Sequence, residues 1–211
     1  MRKWKLESKI LSRALKLSEK VYDESMYGID DLYRIKDIVH SVDQNHWDSK
    51  KWLADEFHKF YGFHTGRFLV VGGWYGMMAY HLRQKWPGSR MNIISADCDP
   101  ICEEYAWELF GDYDIDFRTR DINEEEDLSP YSAIINTSCE HMEQEDLHAI
   151  IEKKDKQAWI VFQTNNYKDL NSHINCWPTA QLFAESLNLE WVACVKTLEL
   201  NDFNRFMVIG K

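Results

Sequence analysis

Apolar residues in the first sixty positions recur at the spacing of a helix. The first series lies on one face of a predicted amphipathic helix, whose other face carries Lys, Ser and Glu; it comprises Leu6, Ile10, Ala14, Leu17 and Val21. A second helix is predicted over residues 31–40, and a third ends near Gly62. The buried side of the third helix carries Trp52, Leu53, Phe57 and Phe60. We therefore expect residues 1–62 to form a helical cap or lid.

From Arg67 onward, short apolar runs alternate with helical spacers, which is typical of a parallel sheet built from βαβ units. The predicted parallel strands are Phe68–Val71, Met91–Ala96, Ile115–Arg118, Ala133–Asn136 and Ala158–Gln163. The predicted helices are Met77–Lys85, Ile101–Leu109, Met142–Glu152 and Thr179–Leu187. Two β runs, Glu190–Leu200 and Phe203–Gly210, then form a hairpin around a tight turn at Asn201-Asp202. The pattern predicts one α/β unit over residues 63–211, with helices on both faces of a mostly parallel sheet.

The composition limits the possible functions more than it limits the possible folds. A chain of 211 residues can close one sizeable core, so one domain with an N-terminal extension is expected. The formal net charge of −10 opposes the phosphate attraction that drives non-specific nucleic-acid binding. Nine tryptophans and ten tyrosines supply aromatic side chains for a core or for the wall of a pocket. We expect a small-molecule partner, cationic or aromatic, and no nucleic acid.

The cysteines and the N-terminus bear on the location of the protein. Five cysteines are odd in number and lack a repeated short spacing, unlike a secreted disulfide framework or a four-cysteine zinc site. The first residues lead into a charged amphipathic stretch, and no apolar run approaches the length that spans a bilayer. These features predict a cytoplasmic protein with no membrane partner.

A glycine-rich turn follows the first predicted strand and leads into a helix. Gly72, Gly73 and Gly76 let the backbone turn sharply and let a ligand approach main-chain N–H groups at the helix N-terminus. A nicotinamide-dinucleotide fingerprint would need glycine two and five residues after Gly72, where the chain has Trp74 and Met77. The turn therefore favours a bound ligand but argues against a dehydrogenase.

Acidic side chains close the second and third strands. Asp97, followed by Cys98, is placed to accept hydrogen bonds from the two hydroxyls of a ribose. The next carboxylate, Asp99, is interpreted as a helix cap. After the third strand, Asp121 and Ile122 are suited to contact the amino group and the ring of an adenine. Taken alone, Asp121 has the alternative interpretation of an ordinary loop aspartate.

This order of features, from the glycine turn to the terminal hairpin, resembles the Rossmann-like (class I) methyltransferases that use S-adenosylmethionine (SAM), over roughly Arg67 to Lys211. The resemblance implies a seven-stranded sheet in the order 3-2-1-4-5-7-6 with the last strand antiparallel, and SAM as the cofactor. The cofactor-binding residues that it implies are Gly72, Gly73, Trp74, Gly76, Asp97, Cys98, Asp121, Ile122, Asn136 and Ser138.

Two positions depart from that family's pattern. The family usually has an acidic residue where Val70 stands and a glycine where Trp74 stands. The indole of Trp74 either crowds the methionine tail of SAM or forms an aromatic wall beside it. The run from Val70 to Gly73 also resembles the turn of the aminopropyltransferases, which use decarboxylated SAM, although helices stand here where that group has a β-hairpin domain.

Polar side chains after the fourth and fifth strands are the candidates for chemistry, because open α/β sheets bind ligands at that edge. The predicted catalytic residues are Glu140, His141 and His173, since an imidazole can act as a base near neutral pH. The predicted acceptor-binding residues are Gln163, Asn165, Asn166, Tyr167 and Asn175. For His141 the alternative is a first-turn helix residue with a local hydrogen bond.

Three functions remain open at this point. A methyltransferase that acts on a small molecule is favoured; the alternatives are an aminopropyl or other SAM-derived group transferase, and a non-catalytic binding module with the same fold. A metal cluster of Cys139, Glu140, His141, His173 and Cys176 matches no standard zinc spacing, so no metal is expected.

Overall fold

The computed structural model describes residues 8–24, 29–88 and 90–211. In that part of the chain, three helices precede the sheet: α1 (Ser8–Glu24), α2 (Ile29–Ser41) and α3 (Gln44–Phe60). Leu6, the first residue of the predicted apolar series, lies outside the described residues. The rest of the series is buried, as its helical spacing predicts.

Seven strands form a single sheet within the described residues: β1 (Thr65–Val71), β2 (Arg90–Asp97), β3 (Asp116–Thr119), β4 (Ala133–Asn136), β5 (Trp159–Asn165), β6 (Val192–Glu199) and β7 (Asn204–Gly210). Their order is β3-β2-β1-β4-β5-β7-β6, which confirms the order implied by the resemblance. Strands β1 to β5 pair in parallel, and β7 is antiparallel to both β5 and β6. The intervening helices are α4 (Met77–Lys85), α5 (Pro100–Phe110), α6 (Gln144–Lys153) and α7 (Ala180–Ser186).

Alternate residues of the sheet feed two apolar layers, because successive strand side chains point to opposite faces. On one face, Phe68 and Val70 join a cluster with side chains of α1 to α5, including Leu53 and Phe57 of α3. On the other face, Leu69 joins a cluster with side chains of α6 and α7. Helices therefore cover both faces, as expected. The N-terminal helices share their core with the sheet, and the boundary of the cap at residue 62 stays a prediction.

One predicted helix begins later than expected. The helix expected from Met142 instead begins at Gln144, because a 3-10 turn (Cys139–His141) is followed by extended backbone at Met142 and Glu143. The Met142 sulfur there accepts a hydrogen bond from Asn136 Nδ2 at 3.0 Å.

The acidic run over residues 124–127 does not start a helix. Glu124 closes a 3-10 turn (Ile122–Glu124), and Glu125 is extended and pairs with Arg120. Asp127 accepts a hydrogen bond from the Ser129 amide at 2.8 Å, which favours a local turn over a helix.

Two observations bear on location. Within the described residues, no helix combines the length and the apolar character that crossing a bilayer requires. All five cysteines lie in the described part of the chain, and each is a free thiol. The cytoplasmic location stays a prediction.

Candidate active site

A cavity of about 900 Å³ opens at the carboxyl ends of the central strands. Its floor includes Val71 at the end of β1, Ala96 near the end of β2, and Thr137 after β4. Helices α2 and α3 contribute His40 and Lys50 to its wall. Strands β1 and β4 are the point at which the order of the parallel strands reverses. Ligands of open α/β sheets bind in the crevice at such a point.

The glycine turn is packed tightly between neighbouring strand ends. Gly73 donates a backbone hydrogen bond to Ala96 O at 2.9 Å, and an added Cβ would overlap the Ser95 hydroxyl. Gly72 has a φ of 57°, and a Cβ there would lie 3.2 Å from Ser138 Cβ. Gly72 and Gly73 line the cavity, and the absence of side chains lets the turn pack closely against Ser138 and Ser95.

Trp74 forms part of the cavity wall beside the turn. Its φ of 47° lies in the left-handed region, which costs a non-glycine residue about 1–2 kcal/mol. The indole stacks on Tyr75 with ring centroids 5.0 Å apart and lies 5.4 Å from the ring of His46. These contacts hold the left-handed conformation and connect the turn to the helical cap.

Asp97 faces the cavity from the end of β2, with Cys98 beside it. Its Oδ2 accepts a hydrogen bond from the Trp74 amide at 2.9 Å, and its Oδ1 accepts one from the Asp99 amide at 3.1 Å. The Cys102 thiol also hydrogen-bonds to this carboxylate. A carboxylate has about four acceptor positions, so about one remains for a ligand. Asp99 caps α5 through the Ile101 amide at 3.0 Å, which confirms the interpretation of that residue as a helix cap.

Some of the other predicted cofactor-binding residues line the cavity, and the rest support the lining residues from behind. Asp121, Ile122 and Ser138 line the cavity. Ser138 donates its hydroxyl to Gly72 O at 3.1 Å. Asn136 is buried behind the wall, where its Oδ1 accepts from the Ser138 amide at 2.8 Å. Gly76 caps α4, and a Cβ there would contact the core ring of Phe117, so it supports the turn from behind.

Glu140 lies at the cavity in a buried ion pair. Its Oε1 accepts from Arg205 at 2.5 Å and from Asn165 Nδ2 at 2.9 Å, and both charged side chains are less than a tenth exposed. Burial alone would raise the pKa of Glu140, but the positive charges of Arg205 and Lys50 outweigh it and hold the pKa below its usual value. This carboxylate is therefore ionised and organises its neighbours.

His141 and His173 are brought together at the cavity, with ring centroids 4.7 Å apart. His141 Nδ1 donates to Ser172 O at 3.0 Å, and His173 Nδ1 donates to Tyr167 O at 2.6 Å. In a neutral ring, each of these bonds places the proton on Nδ1 and leaves Nε2 basic. Burial lowers the pKa of His141, which favours the neutral ring.

Only some of the predicted acceptor-binding residues line the cavity. Asn165 and Tyr167 line the cavity. The other three make structural hydrogen bonds outside that lining. Gln163 donates to Ser49 O of α3 at 3.1 Å; Asn166 accepts from the Asn204 amide at 2.8 Å; Asn175 accepts from the Trp177 indole at 2.7 Å.

Sequence reasoning missed the cationic side of the cavity. Lys50 is fully buried and donates to Thr137 O at 3.3 Å; burial, followed by the charge of Arg205, lowers its pKa to about 7. The sequence did indicate that Lys50 is buried, because it precedes Leu53 and Phe57 at helical spacing on the buried side of α3. Arg205 likewise alternates with Met207 and Ile209 on one face of β7.

Two groups of side chains in the described chain bring potential metal ligands within 4.8 Å of one another. One is Glu140, His141 and His173, and the other is His40, Asp43 and His46. The sequence prediction of no metal addressed the first group and overlooked the second.

Comparisons with known proteins bear on the fold. No protein-family model and no curated protein sequence matches this chain. Solved structures do match: the PH0226 protein from Pyrococcus horikoshii OT3 has a TM-score of 0.57 at 12% identity, over 81% of this chain and 92% of that one. A SAM-dependent methyltransferase from Aquifex aeolicus has a TM-score of 0.55 at 15% identity, over 74% of this chain and 88% of that one.

LepI, solved in complex with SAM, has a TM-score of 0.55 at 15% identity, over 75% of this chain. The matched region is 46% of the LepI chain, and 48% of the matching CurJ carbon methyltransferase, so this chain spans about half the length of those two proteins. With the strand order and the cavity at the switch point, these matches show that the chain has the Rossmann-like fold of the class I SAM-dependent methyltransferases.

Proposed function

We propose that this protein transfers a methyl group from SAM to a small-molecule acceptor. The observation that carries the proposal is one continuous cavity that joins the glycine turn, Asp97 and the Asp121-Ile122 pair to the polar ends of β4 and β5. Structural neighbours that are SAM-dependent methyltransferases, or that are solved with SAM, support the choice of cofactor.

The cofactor end is assigned to the residues after β1, β2 and β3. The backbone of Gly72 and Gly73 at the cavity would receive the methionine portion of SAM, and the remaining acceptor position of Asp97 would receive a ribose hydroxyl. Asp121 and Ile122 would contact the adenine. These residues fit the cofactor because they line one wall in the order in which its parts are joined.

The acceptor end is assigned to the residues after β4 and β5. Bound SAM supplies an activated methyl group, so the task of these residues is to orient the acceptor and remove a proton where one must leave. His141 and His173 offer basic Nε2 atoms for that purpose. The ionised Glu140 is assigned a positioning role, because its Oε1 is held by Arg205 and Asn165.

The size of the cavity supports a small acceptor. Its volume of about 900 Å³ is near the upper end of the range for small-molecule sites, roughly 300–1,000 Å³. Helices α2 and α3 form one wall through His40, His46 and Lys50, which limits access by a large polymer. We assign these helices the role of a cap over the acceptor.

Isothermal titration of the full chain with SAM and S-adenosylhomocysteine tests the cofactor assignment. We expect binding of both, and at least a tenfold loss of affinity, or about 1.4 kcal/mol, in Asp97→Asn, which has one acceptor oxygen fewer for the ribose. Asp169→Asn, at an exposed position outside the described cavity lining, is the matched control. Absence of binding to the folded wild type, or equal binding by Asp97→Asn, would overturn the assignment.

A competition experiment separates the aminopropyl alternative. Preference for decarboxylated SAM over SAM would favour that alternative, whereas preference for intact SAM supports methyl transfer. Turnover of methyl-labelled SAM with a small-molecule extract then tests catalysis, and binding without turnover of any acceptor would favour a non-catalytic module.

A further inference from the structure

A carboxylate stands between two imidazoles where α2 ends and α3 begins. His40 Nε2 lies 3.1 Å from Asp43 Oδ2, and His46 Nδ1 lies 3.0 Å from Asp43 Oδ1. The two imidazole rings approach edge to face with centroids 4.6 Å apart. The three side chains come from a stretch of seven residues, so the junction between the helices alone fixes their arrangement.

The spacing of these donor atoms suits one shared metal ion. Two ligands that bind zinc at about 2.0–2.1 Å, at angles of roughly 90–110°, are themselves about 2.9–3.4 Å apart. Both nitrogen-to-oxygen distances fall in that range, and all the donor atoms lie within 4.8 Å of one another. Two imidazoles and one carboxylate are a ligand set for divalent transition metals, and three protein ligands leave a coordination position free.

The cluster lies on the wall of the cavity and is partly shielded from water. His40 and His46 both line the cavity, beside the indole of Trp74. The side chains of His46 and Asp43 are 19% and 30% exposed, whereas that of His40 is 55% exposed, so the cluster is shielded from solvent at its α3 end. A free coordination position at this wall would be accessible to a ligand in the cavity.

The surrounding charges oppose one another. The C-terminal end of α2 favours a cation, whereas the N-terminal end of α3 disfavours one, so the carboxylate of Asp43 supplies the main attraction. The positive charges of Lys36 and Lys50 would repel a cation bound at the imidazoles, and the negative charge of Asp37 would attract it.

The other candidate cluster is less suited to a cation. Glu140 Oε1 is already bonded to Arg205 and Asn165, and the guanidinium would repel a metal ion at the same carboxylate. Asp43 instead contacts the ring nitrogens of His40 and His46, which are themselves potential ligands.

We propose that His40, Asp43 and His46 bind a divalent transition-metal ion with an open coordination position at the cavity. Each imidazole must offer a lone pair at the nitrogen that now faces Asp43. The proton on that nitrogen moves to the other ring nitrogen of a neutral histidine, or leaves to solvent from an imidazolium. The ion would then bind an oxygen or nitrogen of the acceptor and favour its deprotonation before methyl transfer. This last role rests on the proposed function, whereas binding of the ion does not.

Equilibrium dialysis and titration with Zn(II) test the site on the chelator-treated full chain, without SAM. We expect one ion per chain. In both His40→Ala and Asp43→Asn, we expect the dissociation constant for Zn(II) to be at least tenfold larger. Asparagine is a good helix cap, so Asp43→Asn keeps the start of α3 while it removes the charge. The absorption spectrum of the Co(II)-loaded chain reports the nitrogen and oxygen ligands directly.

His141→Ala is the matched control, because it removes a ligand from the rival cluster. We expect it to bind Zn(II) as the wild type does. No saturable binding by the folded wild type below about 100 µM Zn(II) would overturn the proposal. The proposal would also be overturned if His40→Ala and Asp43→Asn bound Zn(II) as tightly as the wild type, or if His141→Ala lost Zn(II) binding. These results do not depend on SAM binding, so this proposal can fail while the proposed function stands.

Discussion

The two ends of the cavity are built in different ways. At the cofactor end, Asp97 follows its strand directly, and the backbone amides of Trp74 and Asp99 hold its carboxylate. At the acceptor end, Glu140 and Arg205 form a buried pair across 65 positions of sequence, and Lys50 joins them from α3. Local backbone geometry thus shapes the first end, and long-range charge pairing shapes the second. Mutations should affect the two ends by different mechanisms.

The largest effect is expected when the acceptor end loses one member of its ion pair. Arg205→Met leaves the Glu140 carboxylate buried without its cation, which should lower the free energy of unfolding by about 3–5 kcal/mol. Urea denaturation measures the change. The double variant Glu140→Gln, Arg205→Met should recover much of the loss, because neither charge is then left buried. A single variant as stable as the wild type would show that the pair is not essential to this end.

Steric overlap should break the cofactor end. In Gly73→Ala, the new Cβ overlaps the Ser95 hydroxyl, and we expect a loss of about 1–3 kcal/mol on urea denaturation. Adding Ser95→Ala should restore part of it, since the next contact is Ser95 Cβ at 3.3 Å. Gly62→Ala, which has open space around it, should change little. Equal losses with and without Ser95→Ala would contradict the steric explanation.

A charge effect that depends on pH is expected at Lys50. Its pKa falls from 10.5 to about 7 in the folded chain, so the unfolded chain binds the proton more tightly between those values. Lowering the pH through that window therefore favours unfolding of the wild type. Lys50→Met should raise the free energy of unfolding by about 1–2 kcal/mol at pH 7 and below.

The stabilisation by Lys50→Met should shrink as the pH approaches 10.5. Urea denaturation of both proteins across this pH range measures the difference. A pH-independent difference would indicate that packing, and not charge, separates the two proteins.

The smallest effect is expected at the adenine contact. Asp121 is exposed and caps a short 3-10 turn through the Asn123 amide at 2.9 Å. Asp121→Ala should weaken S-adenosylhomocysteine binding by about three- to tenfold on titration, with little change in melting temperature. Glu126→Ala, an exposed carboxylate nearby, should bind normally. Unchanged affinity in Asp121→Ala would assign the adenine to other residues.

The same contrast explains what the sequence could predict. The family resemblance implied the strand order, whereas the glycine turn and the acidic strand ends follow from local patterns. The structure places Asp97, Asp121 and Ile122 at one cavity. Gln163, Asn166 and Asn175 were chosen as polar residues at the end of the predicted fifth strand or after it, but their side chains instead bond to Ser49, Asn204 and Trp177. A strand end fixes where a residue lies, and it does not fix its hydrogen-bond partner.

The acceptor end needed tertiary information. The helical spacing places Lys50 on the buried side of α3. Its role there cannot be predicted from the helix alone, because it depends on contacts with Thr137 and Glu140, which are distant in sequence. The junction that joins His40 to His46 was treated as a loop between two helices. Only the angle between α2 and α3 brings their imidazoles to one carboxylate.

The attachment of α3 has a consequence for how ligands exchange. Buried hydrogen bonds join Ser49 and Lys50 to the ends of β5 and β4. Helix α2 and the residue that follows it pack into the core through Ile38 and Val42, and Arg34 adds a partly exposed ion pair with Asp99. Under the proposed function, α3 should keep its place while ligands exchange. The charges that meet the acceptor would then be preorganised before it arrives.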